Sequence, residues 1–158
     1  MRIQSSPITG SEDKQTLSAH LRALSDFYTA FNNADMELMS RNWAQTDEAI
    51  MDNPVGGIKR GWEEIRSVYE QIFSGPAKVK VEFYDYVLCD VENMFYVTGR
   101  ERGHLSSGHT QLSLAIRTTR IFRLLEGQWR QVHHHGSMDD PELLTKYQAA
   151  VRRAGNAA

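Results

Sequence analysis

One cysteine and four prolines are all that the 158 residues hold of those two types, and no long apolar run occurs. Cys89 alone cannot form an internal disulfide. It stands in an alternating apolar pattern and reads as a small hydrophobe, which fits a reducing, cytoplasmic setting. No stretch reaches the ~20 apolar residues that a bilayer span requires, and the opening "MRIQSSPITGSEDKQ" has no apolar centre of the kind that export signals carry. A membrane or secreted protein is therefore not expected. Charge of one sign is also lacking: 18 lysines and arginines against 20 acids give a formal charge of -2. With no basic stripe to meet a phosphate backbone, nucleic acid is not an expected partner. The sequence has no phosphate-cradling glycine loop and no Ser-His-Asp order. No third ligand is signalled beside its histidines, so neither a metal nor another cofactor is expected.

A hydrophobic content of 41% suffices for one domain that buries ~70% of its unfolded surface. Residues 1–15 read as a disordered or loosely attached lead-in, 16–138 as the folded domain, and 139–158 as a C-terminal helix and tail. Leu17, Leu21, Leu24, Phe27, Tyr28 and Phe31 recur at helical spacing over residues 16–33, with Thr16 or Ser18 as N-cap. Asp35 can cap a short second helix that leads to Trp43. "EAIMDNP" reads as a short strand ending at Asn53, because Pro54 cannot donate to a ladder. Gly56 and Gly57 allow a reversal, and Trp62, Ile65, Val68, Tyr69, Ile72 and Phe73 mark a third helix, closed by Ser74, Gly75 and Pro76.

From residue 78 the period becomes two, and four long strands follow, joined by short polar turns and so paired antiparallel. Glu126-Gly127 is a two-residue hairpin turn. Asp140 caps a last helix, with Pro141 at its first position. The expected fold class is α+β, a curved antiparallel sheet with the N-terminal helices on its concave side and one C-terminal helix.

Strand alternation then sorts the polar side chains. With Leu125 opposite Gln128, regular pairing puts Arg120 opposite His133 and Thr118 opposite His135, on the face that carries Leu112, Leu114, Ile116 and Phe122. His134 then points the other way. An unpaired buried guanidinium costs several kcal/mol, roughly, so Arg120 requires a carboxylate such as Asp85, a ligand anion, or a route to water. His133 is the candidate acid or base, histidine being the side chain whose reference pKa lies near neutrality.

These elements resemble the nuclear transport factor 2-like superfamily, whose members fold as a cone with a cavity between bent sheet and helices. "TTRIFRLLEGQWRQVHHHGS", residues 118–137, resembles the closing hairpin of the SnoaL-like group and the association domain of calcium/calmodulin-dependent kinase, where the arginine matching Arg120 lines the cavity. "DNPVGGIKRGWEEIRSVY" is similar to the segment of ketosteroid isomerase that carries its general base, an aspartate directly before the proline. Here Asn53 holds that place, and Asp52 is one residue away, on the opposite face unless a bulge re-aims it. The isomerase tyrosine matches Phe27, and its oxyanion aspartic acid falls near Thr118 or Thr119. An amide cannot accept the proton, so the isomerase reaction itself is not expected.

The resemblance implies a SnoaL-like small-molecule-binding protein. Phe27, Phe31, Trp62, Tyr69, Phe122 and Trp129 would wall its cavity, and Asn53, Arg120, His133 and His135 would orient a carboxylate or enolate ligand. The alternatives are an isomerase, cyclase or hydratase using His133 with Arg120, and a homo-oligomeric assembly module. The resemblance also implies a homodimer through the outer sheet face, at Thr119, Ile121, Arg130, Val132 and His134.

Overall fold

The computed structural model describes residues 3–152. Helix α1 spans Ala19–Asn32, and the Ser18 hydroxyl accepts from the amide of Leu21 at its start. Helix α2, Met36–Asn42, is capped by Asp35, whose carboxylate accepts from the amide of Leu38 at 2.9 Å. Both caps satisfy an amide that the first helical turn leaves free. Strand β1 is Ile50–Asp52, ending one residue before the expected stop, and β2, Lys59–Arg60, pairs with it antiparallel. The turn between them closes on Asn53, whose Oδ1 accepts from the amide of Val55 at 3.2 Å. Helix α3 is Trp62–Ser74.

Four strands then run as β3 Lys78–Val91, β4 Met94–Ser107, β5 Thr110–Leu125 and β6 Gln128–Ser137, before helix α4, Pro141–Arg152. The six strands form one sheet in the order β2-β1-β6-β5-β4-β3. It is unclosed, curved and antiparallel apart from the β1/β6 pair, which is parallel and sets Met51 beside His134 and Asp52 beside His135. Glu126 and Gly127 both have positive φ, 51° and 75°, as a two-residue hairpin turn of the primed type requires.

Curvature has local causes. Gly103 of β4 lies so close to β3 that a Cβ there would meet the Lys80 carbonyl oxygen at 1.9 Å, so only glycine permits the approach. Beta3 is broken by a bulge between Tyr84 and Val87, with Asp85 at φ 49°. The core fills the concave side: Leu24, Phe27 and Tyr28 of α1, Ile65 and Tyr69 of α3, Phe83, Phe95, Val97 and Phe122 of the sheet.

Two differences from the sequence reading bear on the site. The lead-in is attached, since the Gln4 amide donates to the Tyr86 carbonyl, Ile8 exchanges backbone hydrogen bonds with Phe83 of β3, and Ile8 is buried. Strand β6 also carries a bulge: Phe122 pairs with Gln131 but Ile121 pairs with His133, leaving Val132 as an extra residue. One inserted residue reverses the parity of everything after it.

Candidate functional site

Beta5 alternates without interruption, so Leu114, Ile116, Thr118, Arg120 and Phe122 all face the core. Arg120 is 2% exposed. Its charge is met by Glu101 of β4, with Nη2 2.9 Å from Oε1. Nη1 donates to Gln131 Oε1 at 2.8 Å, Nε to the Tyr28 hydroxyl at 3.4 Å, and the guanidinium carbon stands 3.5 Å from the centroid of the Phe27 ring. Tyr28 in turn donates to Glu101 Oε1 at 2.6 Å. Burial works against the charge on Arg120, but the Glu101 carboxylate and the hydrogen bond to Tyr28 hold its pKa above the ordinary value. The phenol of Tyr28 is raised well above its usual value by burial and then by Glu101, and that of Tyr69 to about 12, mainly by burial. Both remain protonated donors.

The parity reversal at Val132 corrects the histidine assignment. His134, not His133 or His135, shares the inner face with Arg120, being their registered partner across β5 and β6. Its ring is buried at 6% exposure, and neither nitrogen has a hydrogen-bond partner among the described residues. Burial, with smaller contributions from Arg120, His133 and His135, holds its pKa well below 6.5, so the ring is neutral. That placement also removes His134 from the outer surface expected to pair.

His133 and His135 face outward beside Asp52. The Asp52 carboxylate is 2.7 Å from His135 Nδ1 and 3.8 Å from His133 Nε2. Asp52 therefore lies on the outer face, as strand alternation required, with no bulge turning it inward. His133 stands on the opposite face from Arg120, so the acid-base pair read from the sequence is not assembled. Asp85 is exposed and pairs with Arg100 at 3.3 Å rather than with Arg120.

A cavity of about 30 Å³ lies at the inner end of the cone, between the charge cluster and α4. Of the residues expected there, Phe27, Phe31, Asn53, Tyr69 and Arg120 line it, joined by Glu101, His134 and Tyr147. Trp62 and Phe122 are buried away from it, Phe122 stacked on Phe95 with centroids 4.7 Å apart. Trp129 lines a different groove, on the outside of α1 and α2. A volume of this size holds about two waters, given ~10–15 Å³ for each, against ~300 Å³ or more in sites for drug-sized ligands. Tyr147 lines the cavity from α4. It is 4% exposed and the one buried residue of α4, and α4 is tied to the turn after β1 by Gln148, donating to the Pro54 carbonyl at 2.9 Å, and by Arg152, donating to that of Val55 at 3.1 Å.

Glu101 is absent from the sequence reading, although it shares the inward parity of Phe95, Val97 and Leu105 on β4. Tyr147 is absent as well. Its helix carries a single buried aromatic and offers no motif. Among the described residues no group of three or more His, Cys, Asp or Glu side chains is arranged to hold a metal ion, and no helix is long and apolar enough to cross a membrane.

Removing either partner of the buried pair leaves the other charge or its hydrogen bonds uncompensated. Glu101→Leu and Arg120→Met should each lower the urea-unfolding free energy by about 3–5 kcal/mol, and the double substitution by much less than the sum. Additive losses would show that the two side chains do not interact. His134 supplies a second check. The unfolded chain takes a proton at this residue near pH 6.5 and the folded chain does not, so its contribution is complete above pH 6.5 and is lost as pH falls from there toward the lowered folded value. Between pH 6.5 and 5, His134→Leu should flatten the decline of stability by up to ~1.4 kcal/mol per pH unit, the weight of one proton. Equal slopes in the two proteins would place the ring in solvent.

Three comparisons bear on this geometry. The F-box protein SKIP8 of Arabidopsis thaliana is 21% identical over 142 residues, 87% of this chain, which spans only 59% of that relative's length. A nuclear transport factor 2-like superfamily protein from Salmonella enterica serovar Typhimurium superposes with a TM-score of 0.67 at 17% identity, over 78% of this chain and 89% of the other. A ketosteroid isomerase-like protein from Erwinia carotovora atroseptica does so with 0.62 at 19% identity, over 75% and 92%. At such identities the structural likeness speaks for the fold alone. The family model of the SnoaL-like domain matches residues 21–141, from α1 to the start of α4 and so including every inward-facing residue of the cluster, and the chain belongs to that family.

Proposed function

We propose that the chain binds a small uncharged molecule bearing a carbonyl or hydroxyl group at the inner end of the cone. The observation that carries this reading is His134: a neutral, buried imidazole on the cavity wall with both nitrogens unpartnered. A buried polar group left unsatisfied costs about 1–3 kcal/mol, and a ligand that supplies the missing hydrogen bond recovers it. Gln131 Nε2 is likewise buried and unpartnered beside Arg120. Tyr28 and Arg120 both use Glu101 Oε1, so Oε2 receives no hydrogen bond among the described residues. Gln131 does not line the cavity, so the wall offers one donor and one acceptor on His134 and a further acceptor on Glu101.

Charge narrows the ligand class. The sequence favours a carboxylate or enolate opposite Arg120, but Glu101 already neutralises that guanidinium. A second anion would have to displace Glu101 or lie against it, and like charges in a water-poor site repel strongly. An uncharged oxygen meets no such barrier. A ligand requires Tyr147 to yield space, because the cavity of about 30 Å³ has room only for water.

The test uses the full chain and its Tyr147→Ala variant, titrated by NMR with p-cresol and cyclohexanone and with p-toluate as the charged counterpart. Tyr147→Ala should bind the two uncharged probes at least about tenfold more tightly than the parent chain does, and should prefer them to p-toluate; adding His134→Phe should remove the gain. Tighter binding of p-toluate, or no binding by the variant at all, would refute the reading.

A further inference from the structure

Outside the cone, a groove of about 390 Å³ runs between α1, α2 and the β5–β6 turn. Its volume lies in the range of small-molecule sites, ~300–1,000 Å³, which the inner cavity does not approach. Three guanidiniums line it from three separate elements: Arg22 of α1, Arg41 of α2 and Arg130 of β6. Arg41 pairs with Glu37 at 3.0 Å. Arg22 and Arg130 have no carboxylate partner among the described residues. Arg22 Nε donates to the Lys14 carbonyl at 3.2 Å, and Arg130 donates to that of Arg41. The acid of the groove, Asp26, is matched by Lys14 at 3.2 Å. Two positive charges, one on α1 and one on β6, are thus left over.

A second observation points the same way. Asn42 lines the groove at 5% exposure; its Nδ2 donates to the Ala23 carbonyl at 2.8 Å, while its Oδ1 is buried without a partner. An amide oxygen in that state calls for an N–H or O–H donor. We infer that this groove is a second binding site, for a small phosphate-bearing molecule, the phosphate held between Arg22 and Arg130 and a donor group of the same molecule reaching Asn42. A phosphate dianion offers one charge to each guanidinium and oxygens enough for both, which a carboxylate does not. The inference stands apart from the inner cavity, since none of these residues lines it.

The test is a titration of the full chain with inorganic phosphate and with phenyl phosphate, followed by NMR at ionic strength matched with sodium chloride, with sodium acetate as comparison. The indole N–H signal of Trp129, which lines the groove and is assigned through Trp129→Phe, should shift and saturate with both phosphates. Arg22→Gln and Arg130→Gln should each weaken phenyl phosphate about tenfold, the loss of one charge-assisted contact, while Arg60→Gln on β2 leaves it unchanged. Shifts no larger than those from sodium chloride would overturn the inference. So would acetate binding as tightly as phosphate, or equal weakening by Arg60→Gln, which would mark nonspecific attraction by the net field.

Discussion

A guanidinium sealed inside a sheet is the constraint around which the rest of this molecule is arranged. Arg120 stands in a row of apolar side chains on β5, where a lone charge is untenable. Four other elements or strands answer it: α1 with Phe27 and Tyr28, β4 with Glu101, β6 with Gln131, and α3 with the ring of Tyr69 nearby. The contacts that solvate the charge also fix how the helices seat in the concave face. Electrostatic satisfaction and packing are here one requirement.

The same compensation decides what the cone can accept. Because Glu101 cancels Arg120, the polar end of the cavity is close to neutral, and its unused hydrogen-bonding capacity sits on His134 and the free oxygen of Glu101. The uncompensated charge of the region lies outside instead, on Arg22 and Arg130. One small chain thus separates a charge-compensated polar cavity from a groove whose charge is uncompensated, with α1 forming a wall of each.

Much of this was legible in the sequence, and the failures have identifiable causes. The helices over Leu17 to Phe31 and Trp62 to Phe73 follow from spacing, because their apolar stripes are wide, with Ser18 capping the start of the first and Gly75 the end of the second. Arg120 was placed inward correctly, since β5 alternates unbroken from Leu114 to Phe122. Asp52 was placed outward for the same reason. His133 and His135 were placed wrongly, because the bulge at Val132 lies between residues of ordinary strand type, with no glycine or proline to mark it. Parity suggests Asp85 as the partner of Arg120, but its break in parity is a bulge that carries it to the surface, while Glu101 keeps perfect parity among apolar neighbours. Beta2, with two residues, and the parallel pairing of β1 with β6 arise from long-range geometry that no local pattern announces.

Exchange of the Arg120 Nε proton with water, followed by NMR on the full chain at pH 7, reads the central claim most directly. A guanidinium locked between Glu101, Gln131, Tyr28 and the Phe27 ring should show a resolved signal that exchanges at least about a hundredfold more slowly than that of exposed Arg60, since exchange then requires local opening. A rate equal to that of Arg60 would mean that the guanidinium reaches solvent, and would contradict the account.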